Sequence, residues 1–226
     1  MSRPLNELLL TVQVLAPKHD AGLQAFGLRW PSESQLGYCT LDELMAAGAL
    51  EVTEISEGGR VPTLRVTNKS DLMAFLMAGE QLVGAKQNRV LNVSLMVPPS
   101  TSLDIPVSCV EAGRWHRRSA KFASGGSMSH AKLRKMMSKQ THLGRRSSGT
   151  PTSDQMAVWN EVARKLSAMG STSPSQAFEQ VYQDYAARLN DLSSRLQPPD
   201  LQRPPFLEHF ERAEDPKLHP ASQPRR

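Results

Sequence analysis

Two short segments hold most of the side chains that could do chemistry. The first is Gly79-Glu80-Gln81-Leu82-Val83-Gly84-Ala85-Lys86-Gln87-Asn88-Arg89, and the second is Val107-Ser108-Cys109-Val110-Glu111-Ala112-Gly113-Arg114-Trp115. Lys86, Arg89 and Arg114 are the groups that grip a pyrophosphate, arginine through two parallel N–H bonds and lysine as a point charge. Gln87, Asn88 and Ser108 offer neutral hydrogen bonds beside them, and Trp115 has a ring that can stack on a base or pack at a rim. Glu80 and Glu111 are the two acids. Facing one pocket, they can act as acid and base across a glycosidic bond; alternatively each pairs with Arg89 or Arg114 and fixes a loop. Cys109 shares the apolar face of Ile105 and Val107 and reads as a buried thiol rather than a nucleophile.

Something rigid must position these segments. Leu64 and Val66 alternate with Thr63, Arg65 and Thr67, and Leu8, Leu10, Val12 and Val14 alternate in the same way, the mark of half-buried strands. Leu91, Val93, Leu95 and Val97 predict a strand ended by Pro98 and Pro99. Ile105, Val107 and Cys109 predict its antiparallel neighbour, so both segments lie at strand ends. Thr40 with Glu43 three residues on, before Leu44, Met45 and Ala46 and a stop at Gly48, is a capping-box helix.

The second half changes character. Ser153 can cap a helix carrying Val158, Trp159, Val162, Leu166 and Met169 up to Gly170. Ser173-Pro174 predicts another, because proline loses no hydrogen bond at a first helical position. In that helix Phe178, Tyr182, Tyr185, Leu189, Leu192 and Leu196 form a coiled-coil-like seam. The seam can pack within the chain or, through residues 174–196, on a second copy.

The two signatures resemble the bacterial ARG and rhodanese-phosphatase-superfamily-associated protein domain, in which ARG stands for ADP-ribosylglycohydrolase. The residues that carry the likeness are Gly79-Glu80-Gln81-Leu82, Lys86-Gln87-Asn88-Arg89, Pro106-Val107-Ser108-Cys109-Val110-Glu111 and Gly113-Arg114-Trp115. The likeness runs from about residue 51 to the helix containing Gln155 and Trp159, or on to Leu196, and similar proteins continue into a Gly-rich strand and a further helix where this chain has a Pro-rich tail. The resemblance implies association with ADP-ribose-processing proteins and a part in the metabolism or sensing of NAD-derived molecules, without an established reaction. The expected activity is therefore binding, with processing left open, of a small nucleotide-like ligand.

The chain has 226 residues and a net charge of +5. Ten of its 27 Lys and Arg fall between Ala112 and Ser153, a stretch with no acid, which leaves 17 basic against 22 acidic residues elsewhere. That segment has helical spacing from His130 to Gln140, at Leu133, Met136 and Met137, between Gly/Ser-rich loops at 119–129 and 141–153, and it can cover an anion pocket or hold nucleic acid through its phosphates. It brings no zinc-finger, RRM-type or helix-turn-helix pattern. The alternative function is thus a non-enzymatic nucleic-acid or partner-binding module built on residues 114–146. Two cysteines at no metal-ligand spacing indicate neither a zinc site nor a disulfide framework, and no cofactor is expected. The run Leu8 to Leu10 is too short for a membrane span, so a cytoplasmic protein is expected.

The expected fold is α+β. A mostly β, antiparallel half (5–114), a basic loop–helix–loop (115–152) and two amphipathic helices (153–196) make one domain over 1–196. The tail, 197–226, holds seven of the 16 prolines and is expected to be disordered.

Overall fold

The computed structural model describes residues 5–29, 37–56 and 62–197. The Pro-rich tail from residue 198 onward lies outside them.

The chain begins with a short helix, α1 (Leu5–Leu9), and two small antiparallel ladders, in which β1 (Gln13–Val14) pairs with β4 (Leu28–Arg29) and β2 (Lys18–Asp20) with β3 (Leu23–Ala25). The long strand expected here from Leu8 to Val14 is not formed. Alternation specifies a strand only where a sheet offers a face to bury against, and Leu10 and Val14 lie at the surface, 86% and 65% exposed.

Next come β5 (Tyr38–Thr40) and α2 (Leu41–Ala46). The Thr40 hydroxyl accepts the Glu43 N–H, and the Glu43 carboxylate accepts the Thr40 N–H at 2.8 Å, which is the capping box read from the sequence. There follow β6 (Leu50–Glu54), β7 (Thr63–Asn68), β8 (Met73–Leu76), β9 (Glu80–Gly84), β10 (Arg89–Leu91), β11 (Leu95–Val97), β12 (Thr101–Cys109) and β13 (Phe122–Met128). Six of them form an antiparallel sheet in the order β13-β9-β10-β12-β7-β6, which curls until β13 meets β6. A smaller sheet, β11-β8-β5, contains the parallel pair β5 and β8.

The predicted strand from Leu91 to Val97 divides. Its first part, β10, pairs antiparallel with β12 as expected, Val90 opposite Ser108 and Leu91 opposite Val107. Its second part, β11, crosses to the smaller sheet and pairs with β8. The break falls at Asn92, whose buried side chain accepts from Ser108 and donates to the Pro151 carbonyl instead of continuing the pleat. β12 is shared lengthwise: Thr101–Pro106 pairs with β7 and Val107–Cys109 with β10. Past Pro106 the pairing with β7 ends, and the Cys109 backbone is met by the Gln155 side chain instead.

The inner face of the curled sheet, with α2 and the smaller sheet, encloses Leu64, Val66, Leu82, Leu91, Ile105 and Val107. Each such fully buried side chain contributes about 1.5–3 kcal/mol. The outer face at β10 and β12 carries a second core, in which Val90 and Val110 meet Leu133, Met137, Val158 and Phe178 from the helices α3 (Ala131–Ser148), α4 (Gln155–Met169) and α5 (Glu179–Asp184). A last helix, α6 (Ala186–Leu196), packs toward β2 and buries no residue fully. The architecture is α+β, and among the described residues no helix is long and apolar enough to cross a membrane.

The second half departs from expectation in four places. The Gly/Ser-rich stretch 119–129 is not a loop: Phe122–Met128 is the edge strand β13, bulged between Ser124 and Met128. The following helix does not stop near Gln140 but runs to Ser148, because Thr141 is buried and Gly149 then closes it in the left-handed conformation. Asp154 rather than Ser153 caps α4, accepting from the N–H groups of Met156 and Ala157, while the Ser153 hydroxyl meets that of Ser108.

The helix expected from Pro174 begins only at Glu179 and breaks at Tyr185, which separates α5 from α6. Phe178 and Val181 are buried within the chain, so the first half of the seam faces its own core, whereas Leu189 is 43% exposed. The turn the helix gives up, Ser173–Ala177, is used at the site.

Candidate functional site

The two signatures meet. β9 and β10 are joined by the bend Ala85–Asn88, and the end of β12 lies beside it, so the first segment's turn faces Glu111 to Arg114. At their junction Glu111 and Arg114 form an ion pair that is 0% and 2% exposed. The Arg114 Nε donates to Glu111 Oε1 at 2.8 Å and its Nη2 to Oε2 at 2.6 Å, the two-pronged geometry of a strong pair.

Every other donor of Arg114 is also used. Its guanidinium reaches the carbonyls of Ala85 (2.7 Å), His116 (3.0 Å) and Gly84 (3.2 Å) and the Asn88 Oδ1 (3.1 Å). Glu111 is equally filled: Oε2 accepts the Asn88 N–H at 3.0 Å and Oε1 the Ser175 hydroxyl at 2.6 Å. Gln87 donates to the Glu111 carbonyl at 3.0 Å. Burial alone would raise the Glu111 carboxyl, but its bonds from Arg114, Ser175 and Asn88 outweigh burial and hold it below the ordinary carboxylate value. A carboxylate whose lone pairs are all engaged and whose acidity is strengthened does not carry a proton for transfer near neutrality. Glu111 and Arg114 tie the two signatures together rather than reach outward.

The knot has a third strand of chain. Ala177 bridges to Glu111, the Gly113 N–H donates to the Ser175 carbonyl at 2.8 Å, and the Phe178 N–H donates to the Val110 carbonyl at 2.9 Å. Gly113 suits this approach, since a β-carbon there would sit 3.0 Å from the Ser175 α-carbon, closer than side chains ordinarily come to backbone. Between the knot and this segment lies a cleft of about 330 Å³, lined among others by Asn88, His116, Arg118, Ser175, Glu179 and Gln183. Asn88 links the two sides, its side-chain N–H donating to Glu179 at 3.2 Å. Ser175, Glu179, Gln180 and Gln183 were not legible as site residues, because Ser-Pro followed by an apolar seam reads as the start of a packed helix.

The remaining predicted residues are placed elsewhere. Glu80 opens β9, four residues from Gly84 and so about 13 Å along the strand from the end that meets Arg114. It lines a separate pocket of about 80 Å³ with Asp42, Ser124 and Ser127. Burial pushes its carboxyl up to about 7, the Met77 N–H bond opposing and Asp42 assisting. Glu80 and Glu111 therefore do not share a pocket, and the geometry does not pair them across one bond.

Ser108 is buried, donating to Asn92 at 2.7 Å on the face covered by α4, and lines no part of the cleft. Trp115 is 50% exposed and lies over two cations, with Lys86 Nζ 5.6 Å and Arg89 Cζ 5.9 Å from the ring centroid. Arg89 itself is 0% exposed and turned into the protein, donating from Nη1 to Gln87. Burial foremost lowers its pKa, against the opposing influence of Cys109 and Glu54. Cys109 is a free buried thiol, pushed up chiefly by burial, and Cys39 is another. Among the described residues no group of three or more His, Cys, Asp or Glu can hold a metal ion.

The arrangement thus consists of a rigid buried knot and, outside it, a polar cleft rimmed by one arginine, one histidine, one glutamate and several amides. No curated protein and no solved structure is similar enough to the chain to match it. A family model does match, over residues 11–203, and it covers the knot, the cleft and every helix that frames them. The chain belongs to the ARG and Rhodanese-Phosphatase-superfamily-associated Protein domain family.

Proposed function

We propose that the cleft beside the Glu111–Arg114 knot binds a small nucleotide-like ligand of the ADP-ribose or NAD-derived class. The observation that supports this is the convergence of both signatures, with Ser173–Gln183, on one polar cleft within the usual size range of small-molecule sites, about 300–1,000 Å³. Arg118 supplies the positive side for a pyrophosphate, and His116 a ring nitrogen for a hydrogen bond. Asn88, Glu179, Gln180 and Gln183 supply donors and acceptors for ribose hydroxyls. The Arg114 knot holds the floor and spends no donor on the ligand. Binding, rather than turnover, is the reading this geometry favours, since Glu111 is saturated and Glu80 stands in another pocket.

A second reading rests on α3, which exposes Lys135, Lys139, Arg145 and Arg146 in a stretch without acids. Such a helix can follow a nucleic-acid backbone by phosphate contacts alone. Thermal-shift titration with ADP-ribose, NAD and AMP separates the two: a ligand at about 100 times its Kd stabilises the fold by about 2.7 kcal/mol. A rise in Tm that is lost in the Arg118→Ala/His116→Ala variant supports the cleft. No response to the three nucleotides, with salt-dependent stabilisation by a short RNA or DNA, replaces it by the second reading.

A further inference from the structure

Arg89 and Glu54 lie side by side at one end of the curled sheet with almost nothing bonded to them. Their side chains are 0% and 2% exposed, and the nearest ionic approach is 3.8 Å, from Nη2 to Oε1. Among the described residues Arg89 has nitrogen or oxygen partners only at Nη1, on Gln87. Its Nε and Nη2, both oxygens of Glu54 and the indole nitrogen of Trp159 are buried with no nitrogen or oxygen partner among those residues. The Cys109 thiol is the one group that Arg89 and Trp159 both approach, a weak sulfur acceptor that brings them into one cluster.

Such a concentration is unusual, because buried polar groups are almost always paired and an unpaired one is costly. The pattern of unused atoms is specific. The Nε and Nη2 edge of a guanidinium presents parallel donors, suited to a carbonyl or carboxyl oxygen. The Glu54 oxygens beside it ask for an N–H or O–H donor. Arg89 and Glu54 already cancel each other's charge, so a charged guest would leave one buried charge uncompensated, whereas a neutral guest would not.

We propose that this cluster is a second, internal binding site that takes a neutral planar group with an acceptor beside a donor, a primary carboxamide. Its carbonyl accepts from Arg89 and its N–H₂ donates to Glu54. Trp115 lies half exposed over the Arg89 guanidinium, and the proposed entry for a flat substituent is along this ring. The site is distinct from the cleft, shares none of the polar side chains that line it, and does not depend on what the cleft binds.

The test uses the full chain with benzamide and benzoate as probes, read by the NMR indole N–H signals of Trp115 and Trp159, assigned with Trp115→Phe and Trp159→Phe variants. In the unmodified protein benzamide moves both signals, with at least about tenfold preference over benzoate, equivalent to 1.4 kcal/mol. In Glu54→Gln, where Arg89 is left as a lone cation, the preference inverts toward benzoate. Should neither probe move the two signals in either protein, the orphan groups are hydrated and the proposal is wrong. Equal response to both probes in the unmodified protein overturns it as well, without requiring any variant to fold.

Discussion

Removing the Arg114 side chain tests the knot most severely. Arg114→Ala deletes six hydrogen bonds at once and leaves the Glu111 carboxylate buried with only the Asn88 N–H and the Ser175 hydroxyl. Breaking a buried ion pair by deleting one partner costs about 3–5 kcal/mol, because the survivor is an uncompensated charge. For a chain of this size that loss lowers Tm by roughly 10 °C, at about 2–4 °C per kcal/mol. Urea denaturation at neutral pH measures it directly, provided the m value is unchanged. The carboxyl of Glu111 is held below its ordinary value of 4.5, so the pair's contribution is in force above that pH and fades as pH falls through the lower folded-state value. The gap between the unmodified and variant proteins therefore narrows in strong acid, to what the four Arg114 bonds to Gly84, Ala85, Asn88 and His116 contribute. Adding Glu111→Gln to Arg114→Ala recovers part of the loss, since a neutral amide carries no stranded charge. A loss below about 1 kcal/mol, the worth of an exposed pair, would refute the claim that this knot holds the site.

Three further outcomes follow from the geometry. Glu80 titrates near 7 in the fold because burial disfavours its charge, so it destabilises the protein increasingly between about pH 4.5 and 7 and fully above that range. Thermal melts of Glu80→Gln should match the unmodified protein at pH 4 and exceed it at pH 8; a difference that does not grow with pH contradicts the assignment. Gly113→Ala forces a methyl group against the Ser175 backbone, a change that costs about 1–3 kcal/mol by overpacking. It should speed amide exchange at Gly113 and Phe178, whose N–H groups bond across that junction, and unchanged exchange would show that the contact can yield. Gln155 receives the Cys109 N–H at 2.9 Å and donates to its carbonyl at 2.7 Å beyond the part of β12 that β7 pairs with, so Gln155→Ala should cost about 1–3 kcal/mol in urea denaturation; a neutral effect would mean solvent replaces it.

What the sequence made legible was governed by local physics. The Thr40–Glu43 box, the strand through Leu64 and Val66 and the stripe Val158, Val162 and Leu166 are each specified by side chains within a turn or two of one another. The antiparallel pairing of β10 with β12 was legible in their alternation, but periodicity does not say which rim the first signature occupies, so the join of the two signatures was not. Features set by distant partners were hidden. β13 carries Ser124-Gly125-Gly126-Ser127, with no alternation, and becomes a strand because β9 has a free edge and Gly125 fits against Gln81. Ser173–Ala177 has a helix-starting sequence, yet its backbone is taken by Gly113, Val110 and Glu111, so the far wall of the cleft could not be foreseen. Glu54 does carry a local signal: it falls on the buried face of β6, in step with Leu50 and Val52, where an acid is out of place.

Hydrogen exchange of the full chain with and without ADP-ribose tests the central claim most directly, since it reports both whether the ligand binds and where. The cleft predicts slowed exchange at residues 84–88, 113–118 and 173–183, abolished in the Arg118→Ala/His116→Ala variant. Protection confined to α3, or none at saturating ADP-ribose, NAD and AMP, would contradict it.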